Sequence, residues 1–235
     1  MADSESSSEM TILSHFQELR GRLLKALGAL VIFTILSMLV TEQAIHLLAI
    51  PIGGISQLQS IEVTENVGVF MRVSLTLGVI LAMPVIVYQL LMFVLPGLLP
   101  GEKKWVAIGV PLATVFFLAG VAFAYFVMLT PAVNFLVQFL GITTTPRLSN
   151  YIGFVTNLLF WMGICFESPL LVFILAKLKI VTGKGLLRQW RIALVVIAVI
   201  SAAVTPTVDP VNMVLLMLPL AFLYLVSVLL AFLAR

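Results

Sequence analysis

Long apolar runs alternate with short polar connections, most of them containing proline or glycine, along almost the whole chain. A helix needs about 20 predominantly apolar residues to cross the roughly 30 Å hydrocarbon core of a bilayer. The pattern therefore predicts an all-α fold, a polytopic integral membrane protein with six transmembrane helices. The predicted spans cover about 23–41, 67–95, 105–129, 151–176, 192–204 and 211–233.

The remaining stretches are short. Residues 1–10 are Ser-rich and acidic without apolar periodicity, which predicts a disordered tail before a single membrane domain at 11–235. Ser14 and Gln17 fit a capping box, so we expect an amphipathic helix to begin there and lead into the first span. The stretch 130–150 predicts an interfacial helix at 131–140 followed by a loop. The fifth span, with thirteen apolar residues, is shorter than a normal one.

Composition agrees with the membrane assignment and limits the available chemistry. Hydrophobic residues make up 62% of the chain, charged residues 10%, and the mean hydropathy is +1.20. A single cysteine and two histidines provide no disulfide framework and no cluster of metal ligands. No glycine-rich phosphate-binding loop is present. We therefore expect no enzymatic activity, no cofactor, no metal site and no nucleic acid partner.

The distribution of cations predicts the orientation of the spans. Eleven of the 13 Lys and Arg residues lie in the amino-terminal arm, the turn near Glu102, the loop at 177–191 and the carboxyl end. The predicted topology puts all of these on one side, with Arg147 and Arg72 towards the other. By the positive-inside rule both termini are cytoplasmic.

Glu167 interrupts the fourth apolar run about 15 Å from the end marked by Lys177. An ionised carboxylate at this depth is costly, so such residues usually face a protein interior, a partner or water. Two interpretations stay open: a functional acid, or a protonated or hydrogen-bonded residue that joins helices. Pro169 predicts a kink at the same place, because it cannot donate to the carbonyl of Cys165.

Glu18 and Glu102 face the cytoplasm in the predicted topology. Two carboxylates can accept charge-assisted hydrogen bonds from a ligand that carries guanidinium groups. They also have local explanations, since Glu102 favours the positive end of the third helix and Glu18 can pair with Arg22 four residues on. For Arg72 we consider exposure at the interface or a pairing with Glu65 or Glu167.

Four short motifs, taken in order, resemble the TatC family, the large polytopic component of the twin-arginine protein translocase. They are HFQELRGRL at 15–23, PVIVYQLLMFVLPGLLPGEKK at 84–104, FESP at 166–169 and TPTVDP at 205–210. The resemblance covers the chain from about residue 11 to its end. It implies a receptor for signal peptides with paired arginines, which moves folded proteins across the bacterial inner membrane using the proton-motive force.

The resemblance also implies roles for individual residues. Glu18 and Glu102 correspond to the carboxylates that recognise the arginine pair, with Arg20 and Phe93 beside them. Glu167 corresponds to the intramembrane acid of the concave face. Single-span subunits of the TatA and TatB type are expected to dock at the last two spans, near Thr205, Pro206 and Asp209. A homo-oligomer and membrane lipid complete the implied partners.

The chain departs from the family pattern at two places. Leu225 stands where members commonly have glutamate, and TPTVDP is longer than the TPPD form of some members. The residues alone also allow two other functions. One is a proton-coupled small-molecule transporter that uses Glu167, and the other is a structural subunit without a ligand.

Overall fold

The computed structural model describes residues 2–94, 104–138, 144–205 and 210–234. Ten α-helices and short 3₁₀ and π turns make up this part of the chain, which contains no β-strand. The helices are α1 Ala2–Ser37, α2 Thr41–Ala49, α3 Glu65–Val94, α4 Lys104–Phe123, α5 Leu129–Gln138, α6 Leu148–Phe166, α7 Ser168–Lys177, α8 Gly183–Arg188, α9 Trp190–Val204 and α10 Pro210–Leu233. The predicted all-α class is confirmed.

Apolar helices long enough to cross a bilayer occur four times in the described ranges: Glu65–Phe93, Ile108–Gln138, Leu148–Lys177 and Pro210–Leu233. A fifth candidate span is the pair Phe16–Ser37 and Thr41–Ile52, which is bent by 78°. With the shorter apolar helix α9, these segments occupy the six predicted runs. The structure is therefore that of a polytopic membrane protein.

Two segments differ from the sequence prediction. Helix α1 extends back to Ala2, through the predicted tail, and no proline or glycine occurs before Gly21 to stop it. The third span and the predicted interfacial helix form one continuous helix, Ile108–Gln138. A π turn at Ala124–Met128 lies just before Pro131. This wider turn lets the helix pass a residue that lacks an N–H and crowds the carbonyl four residues earlier.

By internal contacts the chain divides into two units, Met1–Leu39 with Ser74–Thr114, and Val40–Val73 with Val115–Arg235. In the first unit α1 and α3 approach at small residues. The hydroxyl of Ser37 donates to the carbonyl of Ser74 at 2.6 Å, and a Cβ built on Gly78 would lie 2.7 Å from the Cα of Thr34. The pairs 37 with 74 and 34 with 78 run in opposite directions, so the two helices are antiparallel.

In the second unit α6 is buried along most of its length, and α4 crosses it at two glycines. A Cβ on Gly120 would lie 2.6 Å from the carbonyl oxygen of Met162. A Cβ on Gly163 would lie 2.5 Å from the ring of Phe117. Inside a bilayer the hydrophobic effect does not draw two helices together, so their association depends on close van der Waals packing. Small residues at the crossing allow that close packing. These crossings fix α6 just before Glu167.

Farther along this unit, α7 and α10 pack through a cluster formed by Ala176, Ala231 and Ala234. The hydroxyl of Tyr224 in α10 donates to the carbonyl of Leu186 in α8 at 2.5 Å. The loop at 177–191, which carries five cations, is thereby attached to the last span.

A network of hydrogen bonds around Glu65 joins the start of α3 to the chain before α6. The Glu65 side chain is 1% exposed. Its carboxylate accepts from the amide of Ser149 at 2.7 Å, the amide of Ile61 at 2.9 Å and Nε of Arg147 at 3.1 Å. Arg147 also contacts Glu62 at 2.8 Å. The hydrogen bonds that Arg147 donates to Glu62 and Glu65 raise the pKa of Arg147, because both carboxylates favour its charged form.

Gly78→Ala is expected to destabilise the first unit. The new methyl group would meet the backbone of Thr34, which cannot move as a side chain can, and overpacking of this kind costs about 1–3 kcal/mol. The free energy of unfolding in detergent measures the effect. Gly28→Ala is the matched control, because a Cβ there has no neighbour within 4 Å. Equal stability of the two variants would show that the close approach at Gly78 is unimportant.

Glu65→Ala is expected to lower the free energy of unfolding by more than about 2 kcal/mol. It leaves three amides, those of Ile61, Glu62 and Ser149, and one guanidinium nitrogen without their acceptor. Each such group costs about 1–3 kcal/mol when buried. Glu62→Ala removes the other partner of Arg147, but the Glu62 side chain is 63% exposed. Its loss should therefore cost no more than about 1 kcal/mol. A larger effect at Glu62 than at Glu65 contradicts the assignment.

Candidate functional site

Glu18 lies on the amino-terminal part of α1 and takes part in the local pairing that its spacing allows. The Nε of Arg22 donates to Oε1 of Glu18 at 2.9 Å, and Nη2 of the same guanidinium donates to the same oxygen. The Glu18 side chain nevertheless keeps 33% of its surface exposed. Arg20, between the two, is exposed. The carboxylate is therefore accessible and already holds one guanidinium group.

The crossing of α1 and α3 places Glu18 and Phe93 at the same end of the first unit. Glu18 precedes Thr34 by 16 residues and Phe93 follows Gly78 by 15. At about 1.5 Å per residue, both lie roughly 22–24 Å from the crossing, and antiparallel helices carry them to the same side of it. Pro84 lies inside α3 without ending it. The half-buried Phe93 is thus at the level of Glu18 along the helix pair.

Three predicted site residues, Glu102, Pro206 and Asp209, lie outside the described residues. The pairing of Glu18 with Glu102 consequently stays a prediction. Thr205 is described: its hydroxyl donates to the carbonyl of Ser201 at 2.6 Å, at the end of α9. Helix α9 has 15 residues and is about 22 Å long, shorter than the hydrocarbon core of a bilayer.

Glu167 is the residue at which the fourth span breaks between α6 and α7. Its amide donates to the carbonyl of Ile164 at 3.0 Å, three residues earlier, which tightens the last turn of α6. Pro169 follows at the start of α7 and is buried. The helical pattern is thus interrupted at a single residue beside Pro169, within the span Leu148–Lys177. The kink expected from Pro169 stays a prediction.

The Glu167 side chain is 9% exposed, and its Oε1 has no hydrogen-bond partner among the described residues. The α6 segment before it is held by Gly120 and Gly163, and the rings of Phe123 and Phe166 lie 5.5 Å apart. The acid therefore sits at a joint between two well-packed helical segments, with one buried oxygen that no described residue pairs.

Sequence reasoning did not find the partner of Glu65, which is Arg147 and not Arg72. A usable signal existed, because Glu65 immediately precedes a span and Arg147 is the other cation predicted on that side. In the described ranges, no three His, Cys, Asp or Glu residues gather into a group that could hold a metal ion.

The family model and the relatives of known name that match this chain all belong to one family. The family model described as TatC, the Sec-independent protein translocase protein, matches residues 14–219. The protein TatC of Carboxydothermus hydrogenoformans is 35% identical over 225 residues, which are 94% of this chain and 93% of that protein. The chloroplastic TATC of Arabidopsis thaliana is 34% identical over 221 residues, covering 92% of this chain and 65% of that protein.

Solved structures agree in fold. A crystal structure of the twin arginine translocase receptor TatC matches with a TM-score of 0.82 and 31% identity, covering 94% of this chain and 99% of that one. A second, of the same receptor in DDM, matches with a TM-score of 0.84 and 30% identity, covering 92% and 99%. The similarity extends over almost the whole chain.

Proposed function

This chain belongs to the TatC family of Sec-independent protein translocase proteins, and on that premise we propose that it is the receptor for export signal peptides with paired arginines. As a member of a protein-transport family, it is a multi-pass membrane component of a translocase and not an enzyme. The alternatives of a small-molecule transporter and of a subunit without a ligand are not retained.

Recognition of the signal takes place at Glu18 and Glu102, with Arg20 and Phe93 beside them. The observation that carries this assignment is the guanidinium already bound to Glu18. Arg22 contacts this carboxylate through Nε and Nη2, as an arginine of a signal peptide would. The exposed third of Glu18 leaves room for an incoming arginine to share or replace that contact. Phe93, at the same level, offers an aromatic surface to the apolar part of the peptide.

We assign single-span subunits of the TatA and TatB type to the surface around α9 and α10, near Thr205, Pro206 and Asp209. A short helix such as α9 thins the bilayer or leaves it incompletely filled, and a partner helix relieves that mismatch. Further copies of this chain and membrane lipid complete the receptor complex. The proton-motive force drives the passage of folded proteins, and the complex lies in the bacterial plasma membrane.

Glu167 acts after recognition. Its unpaired Oε1 at the joint between α6 and α7 suits a polar contact with a partner helix or with the inserted signal. Glu167 belongs to the second unit, whereas Glu18 and Phe93 belong to the first.

Charge reversal tests the recognition site. Glu18→Lys and Glu102→Lys are each expected to weaken crosslinking of a twin-arginine signal peptide at least about tenfold. Each removes a charge-assisted hydrogen bond, which contributes about 1.5–3 kcal/mol, and adds repulsion. Glu42→Lys, in the exposed first turn of α2, is the control for a change of charge alone. Unchanged crosslinking in both variants, with the protein correctly inserted, would overturn the assignment.

Substitution of Glu167 separates binding from transport. Glu167→Ala should leave signal-peptide crosslinking within about twofold of the original value and strongly reduce transport of a folded substrate into membrane vesicles. Glu167→Gln keeps the size and one hydrogen-bonding oxygen, so it should retain more transport than Glu167→Ala. Loss of peptide crosslinking in Glu167→Ala would show that the two sites are one.

A further inference from the structure

The loop at 177–191, which connects α7 to α9, contains five cations and no Asp or Glu. All five side chains are exposed: Lys177, Lys179, Lys184, Arg188 and Arg191. Within the described ranges, no carboxylate forms an ion pair with Lys179, Lys184 or Arg188. The positive charge of these three side chains is therefore not neutralised by the described part of the protein.

Contacts on its inner side fix this loop against the last span. A Cβ built on the buried Gly183 would lie 2.8 Å from the ring of Phe232 in α10, so the start of α8 rests directly on that ring. Leu186 packs against the alanine cluster of α7 and α10, and its carbonyl accepts the hydroxyl of Tyr224. Helix α8 therefore has one face held by α10 and the opposite face turned outward.

The same contacts set the depth of α8 relative to the membrane. Tyr224 and Phe232 are eight residues apart in α10, a distance of about 12 Å along the helix, and this span ends at Leu233. Helix α8 thus lies beside the last part of a span and does not project beyond it. At the end of a span the acyl chains of the bilayer meet the lipid headgroups.

The outward face of α8 combines cations with apolar side chains. Lys184, Leu187 and Arg188 are three and four positions apart, so they share one face, and all three are exposed. Trp190 follows, 50% exposed, with the guanidinium of Arg191 5.7 Å from the centre of its ring. Cations beside exposed leucine and tryptophan are typical of a segment that lies in the membrane interface.

Charge complementarity identifies what covers this face. The distribution of cations predicts that the loop is on the cytoplasmic side. The anionic lipids of the cytoplasmic leaflet attract Lys and Arg next to a span, by about fivefold in affinity per cation. A free anion would leave Leu187 and Trp190 in water, and an acidic protein would have to reach a helix that lies beside a span. A lipid meets both the cations and the apolar side chains.

We infer that the outward face of α8 binds anionic phospholipid, with lipid phosphates at Lys184 and Arg188 and the upper acyl carbons against Leu187 and Trp190. Cations and phosphate form charge-assisted hydrogen bonds there. The bound lipid also sets the level of α9, which begins at Trp190 and is too short for its length alone to define its depth in the bilayer. This surface uses none of the residues proposed for signal recognition or partner docking.

Fluorescence quenching of Trp190 tests the inference. Trp105→Phe with Trp161→Phe leaves Trp190 as the only tryptophan of the full chain. This protein is reconstituted in phosphatidylcholine vesicles with a minor fraction of either brominated phosphatidylglycerol or brominated phosphatidylcholine, since bromine quenches tryptophan at short range. The anionic lipid should quench Trp190 at least about twofold more strongly than the same fraction of the neutral lipid. Equal quenching by the two lipids, or quenching by neither, would overturn the proposal.

The reciprocal protein, with Trp161 as its only tryptophan, is the control for position. Trp161 is 40% exposed in α6 and lies outside the loop at 177–191. The two brominated lipids should therefore quench it equally. An equal preference for the anionic lipid at Trp161 would show that such lipids surround the whole protein, which contradicts a site at α8.

Variants with matched changes locate the lipid phosphate. Lys184→Gln with Arg188→Gln should reduce quenching of Trp190 by the anionic lipid to the level of the neutral one. Lys184→Arg with Arg188→Lys keeps both charges and should keep the preference. Lys25→Gln removes an exposed cation of α1 and should also leave it unchanged. If the doubly neutral variant fails to insert, Lys184→Gln alone decides the question. An undiminished preference in the neutral variant contradicts the role of the two cations.

Inorganic phosphate separates a lipid surface from a site for a free anion. Millimolar phosphate should leave the preference of Trp190 for anionic lipid as it is in sodium chloride of the same ionic strength. Loss of the preference in phosphate but not in chloride would identify a free anion site and would overturn the proposal.

Discussion

The cost of holding a charged group away from water governs where this chain places its few ionisable side chains. Glu65 is almost fully buried and is tolerated because three amides and a guanidinium donate to it. The same bonds hold the chain before α6 against the start of α3, so one buried carboxylate joins segments more than 80 residues apart. The bridge between Gln59 and Arg147 continues this connection through the backbone.

Glu167 shows the other outcome of the same constraint. It is nearly as buried as Glu65, yet one carboxylate oxygen has no partner in the described part of the chain. Buried acids are normally satisfied by their own fold, as Glu65 is, so the same constraint is met less completely at Glu167. The break between α6 and α7 lies at the same residue. The two acids therefore differ in how their burial is compensated, and their positions in the sequence do not reveal this difference.

Hydropathy predicted most of the fold, because the bilayer thickness determines span length and the apolar runs are long and clearly bounded. The break at Glu167 was also predictable, since Pro169 acts through local backbone chemistry. The close approaches at Gly78, Gly120 and Gly163 were not, because a glycine in a span does not reveal which helix it faces. The π turn before Pro131 and the pairing of Glu65 with Arg147 likewise depend on tertiary contacts. For the candidate site, spacing, charge and motif predicted which residues to consider. That Glu18 and Phe93 lie at the same level of the first unit could be seen only from the crossing of α1 and α3.

That crossing links helix packing to the position of the candidate site residues. The relative position of Glu18 and Phe93 is defined even without a contact between them. The helices that carry them, α1 and α3, are held together where Gly78 meets Thr34. An error in the crossing angle grows with distance along the helices. At about 22–24 Å from the crossing, a rotation of roughly 10° moves either residue by about 4 Å, more than the length of a hydrogen bond. Side chains that contact one ligand must be held to better than this. The small residues at the crossing therefore control the relative position of Glu18 and Phe93, although they lie far from both.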